Sequence, residues 1–277
     1  MATAVAKPPQ AAKQWLESVK STGRKLPGRY VAHGPEGAGK STLGAYTPHP
    51  LVIQTQGETG LETLIDSGRL PPTPHVECNT WHDLLTVIQQ LHDEKHEYRT
   101  LVVDTLNGAE RLCHEDVCRI EFKDDWGEKG FTSYQRGYEI ALTPWRLFLE
   151  SLDQLRLKRT MSIMLLCHTK IAPYANPEGP DYDRFTPDLH RKTWGLTHRW
   201  ADAVLFLNFY TMTEKEKTGK IKGRGGQERI IYTTRHATYD AKNRHGLPEE
   251  ISAGNSGKEA WDNLTAALKE ARQNGGA

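Results

Sequence analysis

Short apolar runs rich in Val, Ile and Leu alternate along this chain with longer segments in which apolar residues recur every three to four positions. Runs at 30–32, 51–53, 76–78, 101–103 and 163–167 read as strands. Between them, Trp81, Leu84, Leu85, Ile88 and Leu91 fall on one helical face, opened by Thr80 and Asp83 as a variant of the capping box. A second helix over about 138–157 carries Trp145, Phe148, Leu149, Leu152 and Leu155, with Pro144 as a kink or a start. Strands alternating with helices predict an α/β fold with a doubly wound, mostly parallel sheet. Residues 170–200 lack a strong period and hold Pro173, Pro177, Pro180 and Pro187, so an irregular, functional segment is expected there. Strand-like runs resume at 203–210, 229–234 and 237–240 as antiparallel strands on the C-terminal side, the first two joined through an exposed tip at 215–226. The division predicted is an arm with a short helix (1–24, the helix at 10–19), one core (25–252), and a Gly/Ser linker with a last helix (253–277).

Composition narrows the class. At 277 residues, 37% hydrophobic and 26% charged, the chain can bury a sizeable core and is neither collagen-like nor disordered. No apolar run of about 18 residues appears and the N-terminus lacks the apolar stretch of a secretory signal, so a soluble cytoplasmic protein with no membrane partner is expected. Cys78, Cys113, Cys118 and Cys167 show no CxxC pair or zinc spacing and read as reduced, packed thiols. The net charge is +1, yet residues 189–245 hold twelve Lys/Arg against five Asp/Glu, and 92–128 hold five against eleven. A basic stretch of this kind tracks a phosphate backbone or is an ordinary solvated surface.

The strongest chemical signal is GPEGAGKS over residues 34–41, which fits G-x-x-x-x-G-K-[ST] and lies between a strand and a helix. Gly34, Pro35, Glu36, Gly37, Ala38 and Gly39 form a loop whose N–H groups point inward as an anion nest, followed by Lys40, Ser41 and Thr42. Lys40 is expected to reach the β and γ phosphates of ATP, and the Ser41 hydroxyl to ligate Mg2+. Asp104, ending an apolar run taken as a neighbouring strand, supplies the second magnesium ligand. Glu58 is the acid nearest the end of the second strand and the expected group acting on water; Gln56 can polarise water but cannot take its proton. His168, at the same sheet edge, is a sensor of the γ phosphate or a structural histidine.

The P-loop, the acidic turn at Glu58, the strands ending at Asp104 and His168, and the string AKNRHGLP over 241–248 together resemble the RecA-type ATPase core. They look most like the phage-encoded proteins that consist of little more than that core, some of which act in single-strand annealing or recombination. The family's acidic residue sits where Gln56 falls here, which leaves the position open between Gln56 and Glu58. The resemblance implies a grip on single-stranded DNA by 170–199, where Arg184, Arg191, Lys192 and Arg199 are interleaved with Tyr174, Tyr182, Phe185 and Trp194. It also implies a homo-oligomer, ring or filament, in which Lys242 and Arg244 reach the neighbour's γ phosphate, and a single-strand DNA-binding protein as a further partner. A P-loop kinase for a small phosphoryl acceptor, with 215–229 as its basic lid, and a nucleotide-gated scaffold use the same P-loop residues.

Overall fold

A parallel sheet is built from β1 (Arg29–Gly34), β2 (Pro50–Thr55), β3 (His75–Cys78), β4 (Thr100–Asp104), the first half of β5 (Ser162–Tyr174) and β7 (Ala203–Lys215). The computed structural model describes residues 26–215 and 221–274; the expected arm, its short helix and the hairpin tip at 216–220 lie outside the described residues. β8 (Ile221–Tyr232) and β10 (Glu250–Ser252) add antiparallel strands at the β7 side, giving the order β10-β8-β7-β1-β5-β4-β2-β3. β5 lies between β1 and β4, so the strand that ends at Asp104 is not the neighbour of the P-loop strand, as the sequence led us to expect.

Both faces of the sheet are buried, and successive strand residues feed opposite cores. Val31, Leu101, Val103, Ile163 and Leu165 join α3 (Trp81–Asp93), α4 (Leu106–Phe122) and α5 (Arg136–Gln154) on one side. Ala32, Val102, Met164, Leu166 and Leu205 meet α1 (Lys40–Ala45), α2 (Gly60–Asp66) and α7 (Gly257–Asn274) on the other. The capping box of α3 forms as expected: Asp83 N–H donates to the Thr80 hydroxyl at 3.1 Å, and the Asp83 carboxylate accepts from Thr80 N–H at 2.9 Å. Trp81 stacks on Trp145 of α5 with centroids 6.0 Å apart, and Pro144 lies inside α5 rather than at its start. The sequence reading passed over α4 because its apolar stripe, Leu106, Ala109, Cys113 and Val117, is narrow and its remaining positions are strongly charged. The four cysteines are free and buried.

The expectation of an irregular segment over 170–200 is overturned. β5 continues past His168 and turns back as β6 (Tyr182–Pro187), pairing from Thr169 opposite Pro187 to Tyr174 opposite Tyr182. Pro173 and Pro187 sit in this two-stranded ribbon, where a missing N–H can face an open edge instead of a ladder partner. A helix, α6 (Arg191–Trp200), follows. The expected strand at 237–240 is reduced to a single bridge between Tyr239 and Phe185, and a two-residue strand, β9 (Lys242–Asn243), pairs with β7. Among the described residues no helix is long and apolar enough to cross a membrane.

Candidate functional site

Parallel strands deliver their C-terminal ends to one edge of the sheet, where ligands of open α/β sheets bind. At that edge a cleft of about 980 Å³ is lined by Glu36, Gly37, Gly39, Lys40, Ser41 and Thr42 from the P-loop, together with Glu58, Asp104 and His168. Gly37 and Gly39 take positive φ of 77° and 97°, a region other residues enter only with strain. Gly34 is required for another reason: a Cβ there would stand 2.1 Å from the Leu207 carbonyl oxygen of β7. Pro35 and Ala38 complete the loop, and Ala38 N–H donates to the Pro35 carbonyl at 3.3 Å.

Lys40 is buried, and its ammonium donates to the carbonyls of Gly34 at 2.8 Å and Pro35 at 3.0 Å. Burial holds its pKa below the ordinary lysine value, partly offset by the Asp104 carboxylate. Asp104 is itself buried, which raises its pKa, while the hydrogen bond from the Ser41 hydroxyl acts the other way. One hydroxyl and one carboxylate side by side fit a Mg2+ ion that keeps waters and phosphate oxygens as its remaining ligands.

Glu58 Oε1 accepts from the Thr105 hydroxyl at 3.1 Å and from His168 Nε2 at 3.2 Å. The His168 hydrogen bond holds the Glu58 pKa down, and the same bond raises that of His168. Gln56 instead lies on the surface, where Arg111 donates to its backbone carbonyl at 2.7 Å and to its side-chain Oε1 at 3.4 Å. The backbone N–H of His168 donates to Asn107 Oδ1 at 2.7 Å, and Asn107 Nδ2 donates to the Asp188 carbonyl. Glu110, one turn along α4, accepts from His190 N–H at 3.0 Å. The helix that starts beside Asp104 therefore holds the turn from which α6 begins.

The cations expected on DNA are dispersed. Arg184 is buried, donating to the Tyr239 carbonyl at 2.8 Å, paired with Asp240 at 3.4 Å and lying over the Tyr174 ring. Lys192 pairs with Glu139 of α5. Arg191 and Arg199 are exposed on α6. The aromatic residues are mostly committed to packing: Phe185 stacks on Phe206 at 5.3 Å, and Trp194 Nε1 donates to Asp240 at 2.8 Å. Lys242 and Arg244 lie away from the P-loop cleft. Lys242 Nζ donates to the carbonyls of His198, Arg199 and Ala201 at the end of α6, at 2.5, 3.3 and 2.7 Å. Burial, aided by Arg244, lowers its pKa to about 8. Arg244 donates to the Arg199 carbonyl at 3.3 Å and is half exposed.

Other cleft residues escaped the sequence reading. Asn255, Ser256 and Gly257, read as a linker, line the cleft, and a Cβ on Gly257 would meet the Thr42 carbonyl oxygen at 2.6 Å. Thr105, buried next to Asp104, was also missed, and acts on the cleft only through its hydrogen bond to Glu58. Arg229, the end of the basic segment at 215–229, enters the cleft from β8. A family model described as an AAA domain matches residues 27–245. No curated protein matches the chain.

Proposed function

The chain belongs to the AAA-domain family, and from that premise we propose that it hydrolyses ATP with Mg2+ and couples hydrolysis to single-stranded DNA in recombination or annealing, as RecA-type proteins do. The observation that carries the hydrolytic part is the convergence of Lys40, Ser41, Asp104, Glu58 and His168 on one cleft. The P-loop N–H groups and Lys40 bind the phosphates. Ser41 and Asp104 hold Mg2+, which when bound offsets phosphate charge. Glu58 is fixed by two donors, Thr105 and His168, so its carboxylate orients a water beside the γ phosphate, and its lowered pKa makes it a positioner first and a weak base second. His168 links that carboxylate through Asn107 and Asp188 to the start of α6, which gives a route from phosphate state to the basic helix.

DNA coupling is supported by Arg191 and Arg199, both exposed, in the first and last turns of α6. Assembly into an oligomer, with Arg244 facing a neighbouring nucleotide, extends the same reading, as does a single-strand DNA-binding protein as partner. ATP turnover measured with and without single-stranded DNA, beside sedimentation, tests it. Glu58→Gln is expected to bind ATP with wild-type affinity and to hydrolyse it at least about 100-fold more slowly, the usual range for losing a positioned acid–base group. Lys40→Ala is expected to lose tight ATP binding. Normal turnover by Glu58→Gln removes the assignment of that residue, and unchanged affinity in Lys40→Ala removes the nucleotide site.

A further inference from the structure

Arg229 stands opposite Phe209 in the β8–β7 ladder, beside the register shift that follows Phe209. From there its side chain reaches the P-loop, a contact between residues 190 positions apart in sequence. A Cβ built on Gly39 would come within 2.5 Å of Arg229 Nη1 and 3.6 Å of its Cζ, so the guanidinium rests directly against the loop. Gly39 is thus fixed twice, by its positive φ and by the cation lying on it. Two backbone bonds anchor the arginine: Nη2 donates to the Gly254 carbonyl at 3.3 Å, and its own carbonyl accepts from Ala253 N–H at 2.8 Å. Among the described residues no carboxylate pairs with it. A guanidinium carries five N–H donors, so most of them remain for a ligand in the cleft that Arg229 shares with Lys40, Ser41 and Thr42.

We propose that Arg229 binds the phosphate chain of the nucleotide held in the P-loop, as a second cation supplied by the same chain. The inference rests on the nucleotide site proposed above and goes beyond it by naming a residue outside the motif. Its chemistry suits the task. A planar, forked, permanently charged group matches phosphate oxygens, and the half-buried setting strengthens each charge-assisted bond. The anchor to Gly254 also ties the segment before α7 to nucleotide occupancy, because the same guanidinium touches both.

Calorimetric titration of the full chain with ATP and with inorganic tripolyphosphate, which has no base, tests the proposal on Arg229→Ala, Arg229→Lys and Arg229→Gln. Loss of one charge-assisted contact predicts about a tenfold or greater drop in affinity of Arg229→Ala for both ligands. Arg229→Lys should recover part of that loss and Arg229→Gln should not. If Arg229→Ala fails to fold, the Lys and Gln variants decide alone: equal affinities for both ligands overturn the proposal. So does wild-type affinity in Arg229→Ala, and so does a loss confined to ATP, which marks a contact to the base. Lys40→Ala separates the two levels. If it loses ATP while Arg229→Ala does not, the nucleotide site stands and this inference falls; if wild-type protein binds neither ligand, the site itself falls.

Discussion

His33, one residue before the P-loop, is fully buried and held in one neutral tautomer. Nε2 lies 2.6 Å from the Asp240 carbonyl, which can only accept, so this nitrogen carries the proton; Nδ1 accepts from the Thr169 hydroxyl at 2.7 Å. Burial, foremost, lowers its pKa to about 4, and burial does the same to His114. The sign follows from linkage. In the unfolded chain these rings protonate below about pH 6.5, while the folded chain keeps them neutral down to about 4, so stability is complete above 6.5 and falls as pH drops through that window. His33→Asn is expected to flatten the fall by up to about 1.4 kcal/mol per pH unit, one proton's worth. Urea unfolding at a series of pH values reads the slope, and a slope equal to wild type would mean that His33 protonates inside the fold. The same residue shows what a sequence conceals. Although His33 directly precedes the P-loop, its ring points into the joint between β1, β5 and the 240 turn.

At the scale of elements, α6 and the β5–β6 ribbon divide a set of cations that the linear sequence presents as one cluster. Arg184 and Lys192 are spent on Asp240, Tyr239 and Glu139, and Lys242 caps the last carbonyls of α6. The turn of the helix separates one neighbouring pair. Arg191 and Lys192 are adjacent in sequence but about 100° apart around the axis, so one faces outward and the other faces α5. The expected DNA contacts are therefore Arg191 and Arg199. Replacing both by Ala should reduce the logarithmic salt slope of single-stranded DNA binding by about 1.4, near 0.7 for each lost phosphate contact. Anisotropy of a labelled oligothymidine at several salt concentrations measures it. An unaltered slope would move DNA binding away from α6.

The whole molecule brings the P-loop, Glu58, Asp104, His168, Arg229 and residues 255–257 to one sheet edge through strand order, and it leaves Arg244 on a separate surface with much of its guanidinium exposed. If assembly places that surface against a neighbour's cleft, turnover per chain rises with protein concentration in the wild type. In Arg244→Ala it stays low at all concentrations while ATP affinity is retained. Lys242→Ala should behave differently, lowering the melting temperature, because its ammonium is taken up by three carbonyls within its own chain. Sedimentation beside a turnover series distinguishes these outcomes. A monodisperse monomer with concentration-independent turnover would exclude action between subunits.

Several features were legible in the sequence because they depend on neighbours a few residues apart. The P-loop announces itself through glycines at positive φ, the capping box of α3 through Thr80 and Asp83, and the central strands through apolar runs buried on both faces. The alternation of these elements was enough to give the α/β class and the mostly parallel sheet. Tertiary structure decided the rest. It inserted β5 between the strands of the P-loop and Asp104, turned Glu58 into the cleft and Gln56 out of it, and buried Arg184. It also brought Arg229 onto Gly39. Each of these pairs residues far apart along the chain, and their meeting is set by strand order and ladder register. Those are global minima of packing and hydrogen bonding, which no local window of hydrophobic and polar positions encodes.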